Sequence, residues 1–263
     1  MSSSKPTVII TPGSWHVPAH YTKLIDALGD KGFKALAVSL PTGTTRPPLQ
    51  SWEKDAEAVR AAILAELDSG RDVITLAHSF GGVAMGEAVK GLGKEQRAKE
   101  GHNTVVRRLI YMCAMAIPEG QTHLGQIAPV GAEEERITKE REELAAKYGP
   151  PPMTEDGAIL LHKEAIRGVF YNRCSEEDID EAVSLLGSFP PGPLMVPTTY
   201  SAFAEIPSTY IVCENDRALP VQVQERMIEQ AKGAFTVERC QEGHSPFLSN
   251  PRFIVECVER AAA

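Results

Sequence analysis

No stretch of this chain approaches about 18 consecutive apolar residues, so no part of it reads as a membrane-spanning helix. An excess of positive charge is also missing. There are 27 Lys and Arg against 35 Asp and Glu, for a formal net charge of −8. That balance argues against nucleic acid or an anionic membrane as partner, since both need a basic face. Cysteine is scarce: Cys113, Cys174, Cys213, Cys240 and Cys257 are odd in number, widely spaced and without a CxxC pair. Four of them lie in apolar stretches, so buried, reduced thiols are expected in place of disulfides or metal ligands. The apolar run Thr7–Ile10 near the start is too short for a signal-peptide core, and no small-residue cleavage site follows it. A cytoplasmic protein is therefore expected. What remains is ordinary globular usage, 43% apolar and 24% charged over 263 residues, which excludes a disordered or fibrous chain.

Short β-branched runs alternate with helical patterns. Strands are expected at Thr7–Thr11, Phe33–Ser39, Val73–Ala77 and Val105–Met112, with helices over Ala19–Lys31, Ser51–Asp68 and from about Phe80. Near-continuous apolar strands separated by helices predict an α/β fold, a mainly parallel sheet covered on both faces. The rhythm breaks at Pro118. Helices are expected at Glu133–Tyr148, with Glu135/Lys139 and Glu143/Lys147 at i, i+4 spacing, and at Thr154–Arg167 and Ser175–Leu186. Strands return at Thr209–Cys213 and Phe235–Arg239, with helices Val221–Lys232 and Pro251–Arg260 after them. The simplest organisation is a core of residues 1–117 and 206–263 interrupted by a helical cap, 118–205.

Three polar residues fall in loops at the carboxyl ends of strands, the edge where open α/β sheets bind ligands. Ser79, in Ala77-His78-Ser79-Phe80-Gly81-Gly82, sits on a strand-to-helix turn between small residues, where a hydroxyl projects above the sheet. Asp216 follows the next-to-last strand and His244 the last. A serine nucleophile needs a base, and the base needs an orienting acid, so this order assigns Ser79, His244 and Asp216 to those roles. Glu214 is an alternative acid. Thr11-Pro12-Gly13-Ser14-Trp15 follows the first strand. The backbone N–H groups of Ser14 and Phe80 are the expected oxyanion donors, with Trp15 an alternative to Ser14. Trp15, His16 and Tyr171 are candidates for substrate contact. His16 and His20 have H-x-x-x-H spacing, but Pro18 lies between them and no Glu accompanies them, so no metal and no cofactor are expected.

These residues resemble those of the α/β-hydrolases, and more narrowly the branch of plant methyl esterases and hydroxynitrile lyases. Pro12-Gly13-Ser14-Trp15-His16 stands in the place of a His-Gly-x-x-His opening. Ala77–Gly82 stands in that of a Gly-His-Ser-x-Gly-Gly elbow, and Asp216-Arg217-Ala218-Leu219-Pro220 in that of the acid stretch. Gly243-His244 replaces a late Asp-His, and Phe170-Tyr171-Asn172 is also similar to this branch. The departures are Pro12, Ala77 and Gly243, none of which removes a catalytic group. The resemblance implies an α/β-hydrolase fold with about six strands, while the departures mark a divergent member whose substrate does not carry over. With the helical cap read from the sequence, the first reading is a serine hydrolase acting on a small apolar or aromatic carboxylic ester, thioester or lactone. The lyases of the branch carry a lysine directly after the catalytic histidine, where this chain has Ser245. Two other readings stay open: the same site used for C–C bond lysis or cyclisation, and a hydrolase-fold ligand receptor. The expected partners are a small-molecule ester or lactone and, among proteins, a second copy of the chain in a homodimer.

Overall fold

The computed structural model describes residues 5–128 and 133–263. Six strands, β1 (Thr7–Thr11), β2 (Ala35–Ala37), β3 (Val73–His78), β4 (Val106–Met112), β5 (Ser208–Cys213) and β6 (Phe235–Cys240), form one sheet. Their order is β2-β1-β3-β4-β5-β6, and every neighbouring pair is parallel. The period of two along each strand divides its apolar side chains between two cores. Val8, Ile10, Ile74, Leu76, Ile110 and Ile211 point to one face, under the helices Thr22–Asp30 and Pro251–Ala262. Ile9, Leu109, Tyr111, Tyr210 and Val212 point to the other, under Glu53–Asp68, Gly81–Ala88 and Val221–Gln230. Because both faces are covered, β1, β3 and β5 are buried at every position, which is why they read as unbroken apolar runs.

Two expectations need correction. The strand expected over Phe33–Ser39 shortens to Ala35–Ala37, because β2 is an edge strand with a ladder on β1 alone. The helix expected over Thr154–Arg167 is confined to Lys163–Phe170. Ahead of it Thr154 turns the chain: its hydroxyl donates to Asp156 Oδ1 (2.6 Å) and accepts from the Ala158 N–H (2.9 Å). Local side-chain bonds of this kind compete with helical ones, and Ile159 pairs instead with Met153 and Phe189 in isolated antiparallel bridges.

The helix Glu133–Tyr148 forms as expected, and its described side chains pair in another way than Glu143 with Lys147. Lys139 lies 4.0 Å from Glu143, and the Lys147 ammonium sits over the Tyr148 ring at 4.8 Å. The side chain of Glu135 falls outside the described residues. Helices Lys163–Phe170 and Glu176–Leu185 pack on each other through Ile166, Phe170, Tyr171, Ile179, Ala182 and Val183. The Ser175 hydroxyl caps the second of them by accepting from Asp178 N–H. No described helix is long and apolar enough to cross a membrane.

Candidate active site

Ser79 stands between β3 and the helix Gly81–Ala88 with φ +53°, in the left-handed region. A non-glycine residue there costs about 1–3 kcal/mol and persists only where its surroundings fix it. Two bonds do so: the N–H groups of Gly82 (3.1 Å) and Met115 (2.9 Å) both donate to the Ser79 carbonyl. The β1 loop lies directly against this turn. A Cβ on Gly13 would meet Ser79 Cβ and His78 Nδ1 at 2.9 Å, so only glycine fits there.

Hydrogen bonds orient each peptide of that loop. Gly13 C=O accepts from His16 N–H (3.2 Å), which fixes the Gly13–Ser14 peptide. The Ser14 carbonyl can only accept, so His16 Nδ1 carries the proton in their 2.9 Å bond, and His16 Nε2 accepts from the Tyr171 hydroxyl at 3.1 Å. Trp15, at φ +63°, is held at both ends. Its indole N–H donates to Ile159 C=O (2.9 Å) and its carbonyl accepts from Gly187 N–H (2.9 Å). The Trp15 ring packs on Phe189 and Phe170 at centroid distances of 5.4 and 6.1 Å. His16 and Tyr171 are buried, with their polar atoms engaged by each other and by Ser14. The backbone N–H groups of Ser14, Trp15 and Phe80 meet no acceptor among the described residues.

Asp216 and His244, 6% and 2% exposed, converge from the loops after β5 and β6. His244 Nδ1 lies 2.7 Å from Asp216 Oδ2. The other carboxylate oxygen accepts from the N–H groups of Ala218 and Leu219, both at 2.8 Å. Glu214 faces away, against Arg239 at 3.6 Å and the Gln241 amide. Gly243 also has a packing reason: the Asn172 side chain lies where a Cβ at 243 would be, and its amide donates to Asn215 C=O at 3.0 Å. The Phe170 ring stands over the His244 ring at 5.4 Å. No hydrogen bond joins the Ser79 hydroxyl to His244 among the described residues; such bonds are commonly long in unliganded enzymes.

Sequence reasoning missed Tyr21, Cys113 and the role of His78. The ligand atoms of His78, Cys113 and His244 fall within 4.8 Å of one another. However, His78 Nε2 (2.8 Å) and Cys113 Sγ (3.4 Å) both point at the His244 carbonyl. They act as hydrogen-bond donors to the backbone, so the cluster does not read as a metal centre. His20 is similarly occupied, with Nε2 donating to Ala182 C=O (3.0 Å) and Nδ1 accepting from Val17 N–H (3.0 Å).

Burial holds the imidazoles of His16 and His78 well below the usual range, reinforced by their histidine neighbours, and lowers His20 and His123, the last to about 4. These four bases are neutral in the fold and take up protons near pH 6.5 when it unfolds. Their contribution to stability is therefore complete above pH 6.5 and lost as the pH falls, at up to about 1.4 kcal/mol per pH unit for each histidine. Asp55 opposes them: burial raises its carboxyl to about 6, so it loses stability as the pH rises from about 4 to 6, one group against four. The urea midpoint is expected to drop from pH 7.5 to 6.0 and again to 5.0. An unchanged or higher midpoint at pH 5.0 would contradict neutral burial of these rings.

A groove of about 1060 Å³ opens beside the Asp216 loop, between helices Glu133–Tyr148 and Lys163–Phe170. Charged side chains, among them Lys147, Glu164, Arg173 and Arg217, line it, and neither Ser79 nor His244 does.

A left-handed serine at the β3 turn, an acid after β5 and a histidine after β6 on this sheet belong to one class of protein. The chain is a member of the alpha/beta hydrolase family, whose family model matches residues 8–256. It is 42% identical over 259 residues to alpha/beta hydrolase nvfD of Aspergillus novofumigatus, covering 98% of this chain and 97% of that one. Polyneuridine aldehyde esterase of Rauvolfia serpentina is 25% identical over 250 residues, 90% of this chain and 88% of its own. Methylesterases of Arabidopsis thaliana are further relatives, as the sequence motifs implied. The fold matches a pyrethroid hydrolase from Sphingobium faniae with a TM-score of 0.73 at 21% identity, over 98% and 97% of the two chains.

Proposed function

We propose that the chain is a serine esterase that cleaves small apolar or aromatic carboxylic esters, thioesters or lactones through an acyl-enzyme. The observation that carries this reading is the buried 2.7 Å Asp216–His244 pair at the same sheet edge as the left-handed Ser79. Ser79 Oγ attacks the carbonyl carbon and passes its proton to His244 Nε2. Asp216 holds the imidazole by Nδ1 and stabilises the imidazolium. The N–H groups of Ser14 and Phe80 take the oxyanion, each worth about 2.7–4 kcal/mol of transition-state stabilisation. As the intermediate collapses, His244 returns the proton to the leaving alcohol, and water then releases the acid by the same steps. The aromatic rings of Trp15, Phe170 and Phe189 favour an apolar group beside the reacting carbonyl. The names of the esterase relatives agree with this chemistry.

Steady turnover of nitrophenyl acetate and butyrate is the expected result, with release of ester-derived acid faster than release of benzaldehyde from mandelonitrile. Ser245, buried and neutral, follows the base here, so no cation stands ready for a departing cyanide. Faster benzaldehyde release would replace hydrolysis by lysis. A single turnover followed by arrest would favour a ligand receptor.

A further inference from the structure

Deepening that reading, we propose that Tyr21 and His78 are positioning residues: one buried chain of hydrogen bonds ties the oxyanion loop to the backbone of the base. The Gly13 N–H donates to the Tyr21 hydroxyl (3.1 Å), which lies 2.8 Å from His78 Nδ1, while His78 Nε2 lies 2.8 Å from the His244 carbonyl.

The direction of every bond in this chain is determined. A carbonyl only accepts, so His78 Nε2 carries the proton. The ring is neutral, as its burial requires, so Nδ1 is the acceptor and the Tyr21 hydroxyl is the donor. Tyr21 then uses its oxygen to receive the Gly13 N–H. No member can be reversed without leaving a buried donor or acceptor unpaired.

The sheet order explains why such a link is needed. The oxyanion loop follows β1, next to β3, whereas the base follows β6, three strand spacings or about 14 Å from β3. The loop after β6 must carry His244 back across that distance. Its carbonyl is caught there by His78 at the end of β3 and by Cys113 just past β4. Phe247 closes the arrangement, packing on Tyr21 at 4.5 Å and on His78 at 4.9 Å. The residue before the nucleophile thereby sets the spacing between base and oxyanion donors.

Tyr21→Phe keeps the ring and removes both hydroxyl bonds. It is expected to lower kcat by about 10- to 100-fold, the scale of a misplaced catalytic group, with KM within about threefold. His78→Leu should behave in the same way. His78→Gln should recover activity to within about fivefold of wild type, because the amide oxygen and nitrogen restore an acceptor for Tyr21 and a donor for His244. A separate readout needs no substrate. In protein carrying 15N-histidine, the His78 resonances should report a neutral Nε2–H tautomer at pH 7, with the Nδ1 shift changed in Tyr21→Phe. Wild-type kcat in folded Tyr21→Phe, or equal loss in His78→Gln and His78→Leu, would overturn the inference and leave the esterase reading intact. An Nδ1–H tautomer would overturn it whatever the protein's activity. Absence of ester turnover in wild type, with the predicted tautomer present, would instead remove the esterase reading and retain the link.

Discussion

Replacing Ser79 by alanine is expected to reduce ester turnover by about 10⁴- to 10⁶-fold, the scale seen when a triad nucleophile is removed. The fold should survive, because the backbone bonds from Gly82 and Met115 to the carbonyl of residue 79 involve no side chain. The far-ultraviolet circular dichroism and thermal midpoint of the variant should match wild type closely. A fluorophosphonate probe should label wild type at Ser79 and leave Ser79→Ala unlabelled. The other serines near the site are less suited to attack. Ser14 and Ser245 are both buried, and the Ser245 hydroxyl has no hydrogen-bond partner among the described residues. Labelling at Ser14, Ser39 or Ser245 would remove Ser79 from the mechanism.

The second large effect is expected at Asp216. In the wild type one carboxylate oxygen receives two backbone N–H groups and the other receives His244 Nδ1–H. An asparagine at 216 can satisfy the two N–H groups only with its oxygen, which turns its NH₂ toward His244. The imidazole must then accept at Nδ1 and carry its proton on Nε2, the nitrogen that has to receive the proton of Ser79. The wrong tautomer costs about 10⁴ in kcat in a protease triad, and Asp216→Asn should fall by a similar factor. Glu214→Gln should change kcat by less than about threefold, since Glu214 bonds to Gln241 and Arg239 and is remote from the imidazole. The reverse ranking, measured on nitrophenyl butyrate, would move the acid to Glu214.

The sheet was legible because its central strands are buried on both sides, so Thr7–Thr11 and Val73–Ala77 read as apolar runs bounded by turns. The placement of Ser79, Asp216 and His244 at one edge of the sheet was legible for a related reason. Once strands are located, the loops at their carboxyl ends are known to share an edge. The Thr154–Gly157 turn was missed because its bonds involve a hydroxyl and a carboxylate that a hydrophobic period does not register. Tyr21 lies among the apolar positions of the helix expected over Ala19–Lys31, and the motif around Ser79 names no partner for His78. Their partners lie 57 and 166 positions away in sequence, and neither periodicity nor propensity contains such separations. His16 and Tyr171, the candidates for substrate contact, pair across 155 residues at a seam between the β1 loop and the end of helix Lys163–Phe170, a separation that periodicity does not contain either.

That seam makes the loop carrying the proposed oxyanion donors a mechanical part of the segment above it. Trp15 is fastened to Ile159 and Gly187, His16 to Tyr171 and His20 to Ala182, so three residues of one short loop and its following turn are anchored at four points to the overlying layer. Lifting that layer by a few ångströms would break those bonds and release the peptides that hold the Ser14 and Trp15 N–H groups in place. A displacement of that layer is therefore transmitted first to the backbone of residues 13–16, ahead of any strand of the sheet.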